Sequence, residues 1–262
     1  VADEMTPIRS IRMTRCSLVV SPVDIWTRRM PAPAALSVML AGIQRKPVRK
    51  PDGTYLFFDL PEGSYLLNIN SPSFIPVSEW VETSRLNPLH PVVTVPLLPG
   101  PGYMYPAAST AVRLRLVGTF GAPRAGVAVE AYATGDETAR GRVSQEQLPA
   151  GETSIRVSLP QGQTVAGESL LLRGQGKQEL VRIAEVLPDG VWRLEQPIEH
   201  SYKRGASLLP AVRTYSSEGG VVLLPFRGVL PRTFAATLQV GLTKLELELR
   251  SGEVLEAPPV LV

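Results

Sequence analysis

The chain has 262 residues, 44% of them hydrophobic, so it can bury real cores, and its length suggests two or three domains of roughly 100 residues each. Its net charge of +3 is small for that size, and 25 prolines and 22 glycines fall between short alternating apolar runs, which argues against a disordered chain and for an all-β protein with many turns. A single cysteine, Cys16, excludes an intrachain disulfide framework, and no run approaches the roughly 18 apolar residues that a spanning helix needs.

In chain order, the first residues lack the charged-then-apolar layout of a signal peptide and carry a small basic cluster, Arg9, Arg12 and Arg15. Strand character begins at Cys16, Leu18 and Val20 and returns at Leu36, Val38 and Leu40, with a loop between them marked by Pro31 and Pro33. Arg45, Lys46, Arg49 and Lys50 then cluster before the turn former Asp52-Gly53. They either meet a phosphate or an acidic partner, or serve as solvated charge that guards a strand edge. The stretch from Asp52 to Ile69 writes out a hairpin. Tyr55 and Phe57, then Tyr65, Leu67 and Ile69, keep the period of two that sends alternate side chains into a core, with Pro61-Glu62-Gly63 turning the chain between them. Tyr55, Phe57, Tyr65 and Leu67 are expected to share a buried core with Leu36, Val38 and Leu40. Residues 71–76 turn the chain, 91–97 read as a last strand, and the prolines and glycines of 98–106 form a stiff linker. The first domain is therefore expected over residues 1–104.

The second domain, 105–262, reads as a degenerate copy of the first that is split in two. Alternating runs at 112–116 and 127–133 make its opening half, and runs at 217–224, 234–240 and 245–249 its closing half. Glu218-Gly219 stands where Asp52-Gly53 stood, and Phe234, Ala236, Leu238 and Val240 mirror Tyr65, Leu67 and Ile69. Residues 105–134 and 212–262 are thus expected to form one sandwich. The segment between them, 135–211, has strands of its own at 153–157, 169–173, 178–186 and 191–194. Gln161-Gly162, Arg173-Gly-Gln-Gly176 and Asp189-Gly190 separate these strands, so a small inserted barrel or sandwich is expected.

Few residues offer chemistry. The chain holds two histidines, His90 and His200, and one thiol, with no Cys/His cluster at zinc-ligand spacing, no nucleophile elbow, no P-loop and no calcium loop. Cys16 reads as a small strand hydrophobe. His200, in Glu199-His200-Ser201, has polar neighbours suited to a general base but no partner in sequence. Arg173-Gly-Gln-Gly176-Lys177 approximates a phosphate cradle yet lacks the following Ser/Thr and helix, so it reads as a hairpin turn. Among the large aromatics, Trp192 reads as core, whereas Trp26 and Trp80 sit at loop or edge positions and are candidate anchors for a partner. The candidate interface is therefore Arg45, Lys46, Arg49, Lys50, Trp26 and Trp80, with no catalytic residues, metal or cofactor expected.

The spacing D-G-x-Y-x-F-x-x-L-x-x-G-x-Y-x-L-x-I at 52–69 resembles the core signature of the carboxypeptidase regulatory-like family. That resemblance implies a transthyretin-like sandwich and a non-catalytic role. Residues 149–208 are similar to a small β-module recurrent in phage tails and tail-like particles. Together these resemblances imply an all-β chain of two sandwiches, the second carrying an inserted barrel-like module. In function they imply an accessory structural component of a contractile injection system or prophage tail. Such a component would assemble in the cytoplasm, in several copies, into a particle that is released. Its partners would be tube, sheath, cap or baseplate subunits, with no nucleic acid bound and no membrane span. A secreted or surface binding protein is the alternative, and an enzyme subunit whose catalytic domain lies elsewhere is a third reading.

Overall fold

The computed structural model describes residues 14–32, 36–100 and 102–262. Arg9 and Arg12, and the part of the proline loop at 33–35, lie outside the described residues. The protein is all-β, and its chain divides into two compact units. The first is drawn from Val1–Val23, Met30–Asn70 and Pro76–Val95, and the second from Asp24–Arg29, Ser71–Ile75 and Pro96–Val262.

Strands β1 (Cys16–Asp24), β2 (Ser37–Leu40), β3 (Val48–Arg49), β4 (Tyr55–Phe58), β5 (Ser64–Asn70), β6 (Val77–Glu82) and β7 (Val92–Leu97), which belong to the first unit except for the last residues of β1 and β7, form two sheets. Their orders are β3-β4-β1-β7 and β2-β5-β6. Directly opposed residues of an antiparallel pair share a face, so register decides what is buried. Leu18 faces Phe57 and Val20 faces Tyr55 in one sheet, while Val38 faces Ile69 and Leu40 faces Leu67 in the other. All eight side chains are buried, as the alternation predicts. Tyr65 departs from that expectation and is only half-buried. It is the second residue of β5 and its hydroxyl reaches back to donate to the Pro61 carbonyl at 2.8 Å, which holds the ring at the rim of the sheet. Leu36 precedes β2 and is likewise half-buried.

The second unit contains β8 (Ala111–Val117), β9 (Ala128–Ala133), β10 (Gly141–Val143), β11 (Gln147–Leu148), β12 (Ser154–Ser158), β13 (Ser169–Gly174), β14 (Lys177–Val186), β15 (Val191–Leu194), β16 (Tyr202–Lys203), β17 (Ser207–Tyr215), β18 (Val221–Pro225), β19 (Thr233–Val240), β20 (Thr243–Arg250), β21 (Val254–Glu256) and β22 (Val260–Leu261). The sheet β18-β8-β21, which β22 joins on β8, and the run β9-β19-β20 enclose one core that includes Leu114, Leu116, Val129, Phe226, Phe234, Leu238 and Leu249. Strands on either side of residues 135–211 therefore share a core. The strand order also repeats that of the first unit, because β4-β1-β7 corresponds to β18-β8-β21 and β2-β5-β6 to β9-β19-β20. The matching turn is offset by one residue from the sequence expectation. Gly53 closes its turn by donating to the Lys50 carbonyl and has φ +92°, and the residue that does the same to Ser217, with φ +72°, is Gly220 rather than Gly219.

Between these halves, β10 pairs with both β12 and β17, so β10-β12-β15-β14-β13-β17 closes into a six-stranded antiparallel barrel. Closure removes free sheet edges and leaves an interior that side chains fill, here Ile155, Leu170, Leu172, Ile183, Trp192 and Leu208 among others. Trp192 is core, as expected. The ribbon of β11 and β16 adds Leu148 and Tyr202 to the same core. β17 belongs to both bodies of this unit. Its first residues pair with β10 and β13, and Ala211–Tyr215 pair with β9 of the sandwich. Pro210 sits where that edge passes from β10 to β9 and has no partner on that side, a position at which a residue without an N–H is tolerated. Tyr132, Leu171, Leu209 and Ala211 pack as a small separate cluster beside this crossover.

Candidate interaction surfaces

The basic cluster is built by a short segment of the first unit. Arg45 and Lys46 lie in the loop after β2, Arg49 is in β3, and Lys50 opens the turn that Gly53 closes; all four are exposed. The turn is stabilised by the Asp52 carboxylate, which accepts from the Thr54 hydroxyl at 2.6 Å and amide at 2.9 Å, and these bonds hold its pKa below the usual carboxylate value. Among the described residues the cluster forms one loose ion pair, Arg45 to Asp59 at 4.0 Å. β3 pairs with β4 alone, so its other edge is open and carries charge on both sides, the usual guard against strand pairing. A shallow cleft of about 300 Å³ beside it is lined by Ile43, Arg45, Lys46, Val48, Leu56 and Asp59.

Trp80 belongs to the same unit but to the other sheet. It stands in β6, a strand with one unpaired edge, and is 71% exposed opposite half-buried Leu66. An exposed indole on a sheet face is a large apolar surface without a cover.

Trp26 is placed differently, packed on part of its ring by its own unit. It lies in the Asp24–Arg29 segment of the second unit, half-buried, with its ring edge-on to Tyr105 at 4.9 Å and the Arg227 guanidinium over the ring at 5.2 Å. Arg227 also donates to the Ile25 and Trp26 carbonyls. Buried Asp24 organises the segment, accepting from the Trp26 amide (2.7 Å), the Thr27 hydroxyl (2.8 Å) and the Tyr103 hydroxyl (2.6 Å). Burial, and then the bond to Asp24, push the Tyr103 pKa up, burial does the same to Tyr105, and burial lowers that of Arg227. Trp26 is thus an internal anchor of its unit. Sequence reasoning missed Asp24 and Arg227. The local hint was the Asp24-x-Trp26-Thr27 turn, whereas the Tyr103 bond to Asp24 and the Arg227 bonds to this segment span 79 or more residues.

The backbones around both histidines make structural hydrogen bonds. The His200 and Glu199 amides donate to the two oxygens of the Glu179 carboxylate. The His90 amide closes a turn on the Asn87 carbonyl. Cys16 is half-buried, and burial raises its pKa, which favours the thiol over the nucleophilic thiolate. Arg173 to Lys177 is a hairpin turn between β13 and β14, with Gln175 and Gly176 both at positive φ. Among the described residues no group of three or more His, Cys, Asp or Glu is arranged to hold a metal ion, and no helix is long and apolar enough to cross a membrane.

No family model matches the chain, and no curated protein matches it. The resemblances to the carboxypeptidase regulatory-like family and to the tail module accordingly stand on their motifs alone. Among solved structures, the chain is similar to a Streptococcal ancillary pilin at 10% identity and a TM-score of 0.25, covering 95% of this chain and 63% of that one. It is also similar to the Bacillus anthracis TIE protein at 10% identity and a TM-score of 0.25, covering 94% of this chain and 50% of that one. The chain spans less than two thirds of the length of each, and at this TM-score neither likeness bears on its fold or role.

Proposed function

We propose that this chain is a non-catalytic structural component of a larger assembly, with residues 1–104 and 105–262 as its two domains and 135–211 as a module inserted in the second. The observation that carries the reading is β17, which runs without a break from the barrel into the sandwich. A strand hydrogen-bonded in both bodies holds the barrel at a fixed orientation on its sandwich, and fixed presentation suits repeated contacts in an assembly. The open β3 and β6 edges and exposed Trp80 are the surfaces assigned to docking. The finer reading is a phage-tail-like particle, a contractile injection system or prophage tail. It rests on the resemblance of residues 149–208. It places the chain, in several copies, against tube, sheath, cap or baseplate subunits, assembled in the cytoplasm, with no cofactor or nucleic acid. Reversing Arg45, Lys46, Arg49 and Lys50 together to Glu tests the docking surface. These residues are exposed, so the change should shift stability by only about 0.5 kcal/mol per site. Incorporation into particles, read by immunoblot of sedimented material, should fall while the melting temperature holds. Unchanged incorporation would remove this patch from the interface.

A further inference from the structure

Several arginines on the second unit's barrel and neighbouring strands are matched one to one with acids: Arg182 with Glu195 at 3.0 Å, Arg193 with Glu185 at 3.0 Å, and Arg213 with Glu130 at 3.0 Å. One end of the barrel breaks this pattern. There the β13–β14 turn and the turn between β16 and β17 border an open groove of about 500 Å³ whose charged lining is Arg142, Arg173, Lys177, Lys203 and Arg204 against a single carboxylate, Asp136. Both Asp136 oxygens are already engaged. Oδ1 accepts from Arg173 at 2.9 Å and from the Ser207 hydroxyl at 2.9 Å, and Oδ2 accepts from Arg142 at 3.3 Å. Arg204 reaches Glu146, outside the groove, at 3.5 Å. Lys177 and Lys203 are exposed, stand at the start of β14 and the end of β16, and form no ion pair among the described residues. Like charges gathered in a concavity raise the local potential and cost stability unless an anion is present.

We propose that this groove is a docking site for an acidic peptide segment of a partner protein. Its chemistry favours carboxylates. Arg142, Arg173 and Ser207 already clamp one such group, that of Asp136, and Lys177, Lys203 and Arg204 extend the same positive surface beyond it. The lining holds no aromatic side chain on which a base or sugar ring could stack, which argues against a nucleic acid or glycan. The site names a partner class for the assembly reading and rests on that reading.

The test uses the full chain and a fluorescein-labelled hexaglutamate peptide as probe, titrated by anisotropy at low and physiological salt. The expected result is saturable binding that weakens at least tenfold in Lys177→Glu/Lys203→Glu and is little changed when Arg45, Lys46, Arg49 and Lys50 are reversed. The melting temperature of each variant confirms that it is folded. Equal affinity for the groove variant and the unaltered chain would overturn the proposal. So would tighter binding of a sulfated oligosaccharide or of inorganic triphosphate than of hexaglutamate at the same groove. A chain that incorporates into particles while its groove proves inert loses this site and keeps the assembly reading. A chain that binds hexaglutamate at the groove yet never enters an assembly keeps the site and loses the reading.

Discussion

Replacing Glu168 with Ala is expected to lower the unfolding free energy by about 3 to 5 kcal/mol, because it strands a buried guanidinium. The Arg140 and Glu168 side chains are only 2% and 6% exposed and meet at 3.1 Å. Arg140 also donates to the Gln161 and Gln163 carbonyls, and the second Glu168 oxygen accepts from the Val165 amide at 3.3 Å. The segment before β10 and the loop between β12 and β13 are thereby tied to one ion pair. The cost arises from desolvation. In water the lone guanidinium would be hydrated, whereas in this site the remaining carbonyls compensate only part of its charge. Urea unfolding of Glu168→Ala should show the loss, and the double variant Arg140→Met/Glu168→Leu, which removes both charges, should recover most of it. A single variant as stable as the unaltered chain would show that water reaches Arg140, and that the pair contributes no more than a surface bridge.

Replacing Phe57 with Ala is expected to cost a similar amount, about 3 to 5 kcal/mol, in the first unit. Phe57 is 3% exposed, opposite Leu18, which is fully buried, so the lost ring leaves a void that neighbouring strands fill only by distorting a two-sheet core. The first unit has few strands with which to absorb that loss, and the drop should appear as a lower urea midpoint. Tyr65→Ala provides the internal comparison. Its half-buried ring and single bond to Pro61 predict a clearly smaller loss, and a loss equal to that of Phe57→Ala would refute the assigned register.

These two sites mark what sequence can and cannot reveal here. The period-two alternation of Tyr55, Phe57, Leu67 and Ile69 is a local signal, and burial follows it because a strand has only two faces. The turn at Gly220 was misplaced by one residue because Gly219 and Gly220 are adjacent and only one adopts positive φ. β17 was hidden by Pro210, which argues against a central strand until the neighbouring edge is known to change partner there. Arg140 and Glu168, 28 residues apart and flanked by turns, carry no spacing signal; Arg173 and Lys177 were legible as a turn, but nothing local shows that Arg142, Lys203 and Arg204 join them at one end of the barrel. Trp26 looked like an exposed loop aromatic because its covering groups, Tyr105 and Arg227, are far away in sequence.

The most direct measurement of the assembly reading is purification of the chain from its native cells under non-denaturing conditions, followed by mass spectrometry of the chains that accompany it. A structural component of a particle is predicted to sediment with high-mass material and to recur at a fixed ratio to the same structural subunits, with tube, sheath, cap or baseplate proteins among them if the tail reading holds. Recovery of the chain only as a free monomer, from cells that make complete particles, would contradict the account and favour a surface binding protein instead.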